Sequence, residues 1–346
     1  MKPVLSRGKE STMKNVTISD IASRAGVSKA TVSRVLNSPE KVEENTRRKI
    51  EQIMKEAHYL PSATARNLSR QISSTIGVIV PEISNTFFGE LFSGLEEVIN
   101  KNNLSLLYSS NEDDADKDFL ALDMMRTQRV RGVLYIPAVN YRELGMLKKL
   151  QRRLDILNCP VVCIDRDIGL HLDTIHFADE EAVKNAVLEL ARAGHKDIAI
   201  INGNNKRNVL ASERYQGYLE GFRQANLPLQ EEFIFQGEYK KSYAYQITKE
   251  LLQRRHPPTA VITCNNNLGK GYLQAVYEAG EQQRFTHIGL DQIEMLDLLG
   301  IPHNYIRRDS YEMGKQAAEM LISRLAFPAK KVQNILLEAP IVKKTF

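Results

Sequence analysis

The 346-residue chain is 42% hydrophobic and 26% charged, ordinary values for a soluble globular protein, and no run approaches the roughly 18 apolar residues that a membrane span needs. Its three cysteines, Cys159, Cys163 and Cys264, lie in or beside apolar runs, as reduced core thiols do, so neither disulfides, nor a metal site, nor a cofactor is expected. The net charge of +5 is unevenly placed: residues 1–75 hold 14 Lys and Arg against 7 Asp and Glu, and the rest 33 against 35, the distribution of a basic end that meets phosphate on a near-neutral body, although charge alone fits a solvated basic face equally well.

Residues 1–13 are polar and basic without an apolar stretch, which predicts a flexible extension rather than a secretory signal and places the protein in the cytoplasm. Thr17-Ile18-Ser19-Asp20 has capping-box spacing and predicts a helix running to about Arg24. Gly26 breaks it, and Ser28 can cap a second helix, Lys29 to Leu36. A third, from about Asn45 to Ala57, carries Ile50, Ile53, Met54 and Ala57 as one apolar stripe over the first two. Residues 14–60 are therefore expected to form a small all-α helix-turn-helix module. Residues 61–74 follow as a hinge, with Ala63 to Arg70 helical in composition but too short to be stable alone.

From Thr75 apolar strands alternate with amphipathic helices: Ile76–Val80, Leu104–Tyr108, Val133–Ile136, Val161–Ile164, Ile198–Ile201, Ala260–Thr263 and His287–Leu290. That alternation predicts an α/β core, residues 75–346, of two doubly wound parallel sheets with a ligand cleft at the strands' carboxyl ends. The expected division is 75–176 with 306–329, and 177–305 with 330–346. No phosphate loop, nucleophile elbow, metal-ligand cluster or Ser/His/Asp set marks an enzyme, and His195 after Gly194 reads as a turn residue.

On the second helix Val32, Val35 and Leu36 point inward, leaving Lys29, Ala30, Ser33 and Arg34 on an outer face that fits a DNA major groove. Lys and Arg donate to guanine, Ala30 meets a thymine methyl or is simply solvated, and the hydroxyls of Ser28, Thr31 and Ser33 suit phosphate or base edges. Asp165 and Asp291 each end an apolar strand, which puts a carboxylate at the mouth of a sheet. Asn85, Phe87 and Phe88 follow the first core strand, and Asn265 follows the strand from Ala260. Two carboxylates, two amides, an aromatic wall and the fork of Arg214 suit a neutral polyhydroxylated ring. The phenylalanines could equally be core, and the aspartates helix caps.

The runs Val16–Ala22, Ala25–Ser28, Thr31–Asn37, Tyr59–Ser62 and Ala65–Leu68, with Pro81–Phe88, Val161–Arg166, Gly194-His195, Glu213–Tyr218 and Ile288–Asp291, resemble the lactose/galactose repressor family over about residues 14–340. The resemblance implies a transcription repressor of carbohydrate-utilisation genes: a homodimer on a palindromic operator in double-stranded DNA, switched by a small molecule expected to be a sugar. Its core would be a periplasmic-sugar-receptor fold of two subdomains crossed three times by the chain. It implies base reading by Lys29, Ala30 and Arg34, with Thr17 and Asn37 also among the DNA-binding residues. It also implies a minor-groove wedge at Leu68, flanked by Arg66 and Asn67, against which hinge packing onto the core stands as the alternative. Asp165, Arg214, Asn265 and Asp291 become the polar effector contacts. Where the family has Asn-Asp this chain reads Asn265-Asn266-Asn267, and Arg166 adds a second cation. A sugar phosphate, or control by a phosphorylated carrier protein, therefore stays open beside a neutral sugar.

Overall fold

In the computed structural model, which describes residues 16–57, 59 and 73–344, the N-terminal helices begin where their caps lie. Thr17 closes a full capping box with Asp20 over Ile18–Ala25 (α1), and Gly26 ends that helix at φ +70°, a left-handed turn that glycine enters without a Cβ penalty. Ser28 accepts from the Thr31 N–H to start Lys29–Asn37 (α2), and Glu44–Glu56 (α3) lies one residue earlier than its pattern predicted. Ile21, Ala22, Ala25, Val32, Val35 and Ile50 form the buried centre, with Ile53, Met54 and Ala57 packed against it. Leu36, expected inside, is only half-buried. The extension 1–13 and the hinge residues Arg66, Asn67 and Leu68 lie outside the described residues.

This unit ends at Ser73, and Ser74–Phe346 forms the second. Its first sheet has the order β11-β5-β4-β3-β1-β2, from strands Thr75–Val80 (β1), Ser105–Ser110 (β2), Gly132–Tyr135 (β3), Val161–Ile164 (β4), Asp173–Phe177 (β5) and Asn334–Leu337 (β11). The second runs β12-β10-β9-β8-β6-β7, from Ile198–Gly203 (β6), Ile234–Gly237 (β7), Ala260–Thr263 (β8), Thr286–Leu290 (β9), Asn304–Ile306 (β10) and Ile341–Val342 (β12). All pairings are parallel except β10 with β12. In each sheet the order reverses, beside β1 and beside β6, so the crevice for a ligand opens at the carboxyl ends next to those strands.

The chain passes between the sheets after β5, after β10 and after β11. The allocation of 330–346 to the second subdomain needs correcting, because β11 pairs with β5 in the first sheet and only β12 returns to the second. Its alternating exposed and half-buried pattern carries no fully buried run by which an edge strand could be assigned to either sheet.

Helices cover both faces. Thr86–Lys101 (α4) and Ser310–Ala326 (α12) touch backbone to backbone: a Cβ on Gly94 would fall on the Tyr311 carbonyl oxygen, and one on Gly314 on that of Leu91. Gly314→Ala is expected to push the helices apart and lower core stability by about 1–2 kcal/mol, read as a lower denaturant midpoint.

Candidate functional site

The exposed face of α2 presents Lys29, Ala30 and Arg34 to solvent, with Ser33 half-buried beside them. The Ser28 and Thr31 hydroxyls are 2.9 Å apart and cap the helix, while Thr17 serves the first cap through its 2.8 Å bond to Asp20. These three hydroxyls therefore have structural work whether or not they also meet DNA. Asn37 closes α2.

In the core, the two strand-ending aspartates occupy equivalent places. Asp165, after β4, donates its N–H to the Ile175 carbonyl of β5, and Asp291, after β9, donates to Ile306 of β10. Both adopt left-handed backbone, φ +64° and +69°, a conformation that short polar residues tolerate and that clusters where ligands are held. Both are buried. Between them lies Arg308, on the crossover after β10. Its Nε and Nη2 bond the two Asp291 oxygens at 2.8 and 2.9 Å, and Nη1 reaches Asp179 at 3.4 Å and Asp165 at 3.5 Å. Its guanidinium carbon sits 4.4 Å from the centroid of the Phe87 ring, close enough for cation–π attraction.

Arg214, on Val209–Gln224 (α8), is 1% exposed. It donates twice to Asp179, at 2.9 and 2.6 Å, and once each to the Cys264 carbonyl and the Tyr239 hydroxyl. Asp179 opens Asp179–Arg192 (α7) on the crossover after β5 and so joins both guanidiniums. Arg166 bonds the Pro137 and Ala138 carbonyls and pairs with Asp113 at 2.8 Å. That loop is held in turn by Asp118, a buried carboxylate accepting from Tyr135, Tyr141, Asn111 and the Ala138 N–H.

The remaining expected residues divide. Asn85 caps α4 through the Phe87 N–H and accepts from Asn266 across the cleft at 2.7 Å, and Asn266 also donates to Thr86. Asn265 caps Asn266–Glu278 (α10). Phe87 and Phe88 both belong to the first core cluster and both line the pocket, so core and wall are one role here. Asp165, Arg166, Arg214, Asn265 and Asp291 line the same cavity. Two adjoining spaces make up the cleft: one of about 70 Å³ at the aspartates, the inner end, and one of about 570 Å³, the outer chamber, which shares Pro81, Glu82, Asp113 and Tyr239 with it.

Three members of the site escaped the sequence reading. Arg308 sits in Arg307-Arg308-Asp309, which reads as a solvated charge run, and Asp179 in an acidic first helical turn. Tyr239 had no local signal. Only the rule that picked Asp165, a polar residue just past a strand, could have found Arg308 after Ile306.

Burial is the chief cause that raises the Asp165 carboxyl above its ordinary range. The Asp291 and Asp179 carboxylates hold Arg308 above its own despite burial. Glu213, half-buried on α8, is pushed up to about 8, first by burial and then by Asp179. The folded protein thus holds a proton on Glu213 that the unfolded chain, titrating near 4.5, releases. Stability from this group is complete below the unfolded value and declines as pH rises through 4.5 toward 8, since the native state binds more protons over that window. Glu213→Gln is expected to flatten the melting-temperature profile between about pH 4.5 and 8.

A small helical DNA-reading unit followed by a two-subdomain receptor core defines a ligand-controlled regulator. Residues 17–62 match the model for bacterial regulatory proteins of the lacI family, and residues 73–345 that for periplasmic binding proteins and the sugar binding domain of the LacI family. The chain belongs to this family and is a DNA-binding transcriptional regulator. It is 30% identical over 334 residues to the HTH-type transcriptional repressor PurR of Yersinia pestis (strain Pestoides F), covering 95% of this chain and 96% of that one. It is 28% identical over 313 residues to catabolite control protein A of Priestia megaterium, covering 89% and 92%. The fold matches the Lac repressor dimer bound to operator and the anti-inducer ONPF with a TM-score of 0.82 at 24% identity, covering 96% of this chain and 98% of that one. Among the described residues no helix is long and apolar enough to cross a membrane.

Proposed function

We propose that the protein is a cytoplasmic repressor of carbohydrate-utilisation genes that binds a palindromic operator as a homodimer and releases it when a neutral, hydroxyl-rich small molecule enters the pocket. One observation favours a neutral ligand over a sugar phosphate. Arg166, Arg214 and Arg308 are each within 2.8 Å of a carboxylate, Asp113, Asp179 and Asp291 respectively, so their charge is already compensated and a phosphate added beside these three meets carboxylates as well. Asp165 Oδ1, which lines the pocket and accepts no hydrogen bond, calls instead for a hydroxyl donor. The same compensation supports binding without catalysis, as the three arginines are engaged by carboxylates.

Base reading falls to Lys29, Ala30 and Arg34, and Leu68, with Arg66 and Asn67, takes the minor-groove role that the family resemblance implies. A thermal-shift screen tests the effector reading. Neutral sugars are expected to raise the melting temperature and their phosphates at equal concentration not to, because a ligand of the folded core stabilises it by mass action. A shift given only by phosphates would reverse the assignment.

A dimer is supported by Met295, Leu298 and Leu299, which are 60, 80 and 65% exposed on and just after Glu294–Leu298 (α11). Their i, i+3, i+4 spacing makes one apolar face that a second copy would cover. Leu298→Glu is expected to shift the wild-type dimer toward monomer in light scattering at micromolar concentration.

A further inference from the structure

Arg308 fills the place where the two strand-ending aspartates converge. Two bonds to Asp291, approaches to Asp179 and Asp165, and the Phe87 ring hold it from different sides. Moving it out would leave Asp291 as an uncompensated buried carboxylate, a strongly destabilising change, so a bound ligand meets the guanidinium as part of the wall. With it in place the inner end offers about 70 Å³. That is less than half the roughly 150 Å³ cavity that takes up benzene, and a hexose has about twice the heavy atoms of benzene. A whole pyranose ring is larger than that space.

The outer chamber, about 570 Å³, does fit one ring and has room for more. Pro81, Ala138, Val139 and Tyr239 give it apolar surface, and Asn204 and Asn208 lie among the polar groups. Pro81, Glu82, Asp113 and Tyr239 border both spaces, so a substituent of a ligand in the outer chamber can point inward. There it finds Asp165 Oδ1, buried and accepting no hydrogen bond. A single ring would leave much of the chamber as water, whereas ligand sites of this kind enclose most of the ligand's surface.

We infer that Arg308 is a fixed plug that sets the size class of the effector: the molecule recognised is a neutral saccharide of two or more rings, lodged in the outer chamber with only a substituent reaching the inner end. This rests on the reading of the pocket as a sugar site. Calorimetric titration of the full-length protein with glucose, galactose and mannose, and with maltose, cellobiose, lactose and maltotriose, tests it. At least one di- or trisaccharide is expected to bind about a hundredfold more tightly than any of the monosaccharides. Arg308→Gln, checked for folding by circular dichroism, is expected to narrow that ratio by admitting monosaccharides to the enlarged inner end. A monosaccharide binding the wild type within about tenfold of the best longer sugar would overturn the size rule while leaving the sugar reading intact. No binding by any of the seven would overturn both. Should the variant fail to fold, the wild-type ratio alone decides.

Discussion

Asp179→Ala is expected to lower the stability of the core by about 3–5 kcal/mol, the range for breaking a buried ion pair by removing one partner. That corresponds to a fall of roughly 10 °C in melting temperature for a unit of this size. The motive is geometric: Asp179 accepts both short bonds from Arg214 and the 3.4 Å approach of Arg308. Without it Arg214 loses its bonded carboxylate and keeps only the Cys264 carbonyl and the Tyr239 hydroxyl, while Arg308 keeps Asp291 and its 3.5 Å approach to Asp165. A calorimetric scan showing a loss below about 1 kcal/mol would mean that the network relaxes or admits water. The same reasoning constrains tests of the effector site. Asp291→Ala would remove the two-point partner of Arg308 as well as a proposed ligand contact, so Asp291→Asn is the variant in which a lost ligand response can be read separately from lost stability.

Arg34→Ala is expected to weaken operator binding by about 1–3 kcal/mol, from several-fold to more than a hundredfold, and to relax discrimination at one base pair. Arg34 is exposed on the outer face of α2, while Val32 and Val35 anchor the opposite face in the headpiece core. The substitution therefore removes the proposed DNA contact without disturbing packing. Gel-shift titrations on the operator and on single-base variants check both parts. Equal affinity on the operator would show that the helix is docked differently or serves another partner.

The helix-turn-helix was legible because its determinants are local. The capping box of Thr17 with Asp20, the left-handed Gly26 and the Ser28 cap act over three residues or fewer, and the apolar stripe of α3 repeats within one helix. The buried parallel strands were legible for the same reason, as short continuous apolar runs, and with them the strand-ending positions of Asp165 and Asp291. Other strands escaped: β7 is half-buried throughout and β11 alternates exposed with half-buried residues, so their short apolar stretches, Phe233–Phe235 and Ile335–Leu337, sit at sheet edges rather than in a buried run.

The order of units, the outward face of α2 and the carboxylates at two strand ends follow from spacings that a few consecutive residues contain. What those carboxylates face is set by long-range packing. Arg308 meets Asp179 across 129 positions of chain and Arg214 meets the same oxygen across 35. Whether a charged side chain is solvated, paired or lodged in a cleft depends on which strands the crossovers bring together, and no local period records that. The pocket's arginines therefore looked in the sequence like free cations for a ligand, and the fold shows them compensated by aspartates from other elements.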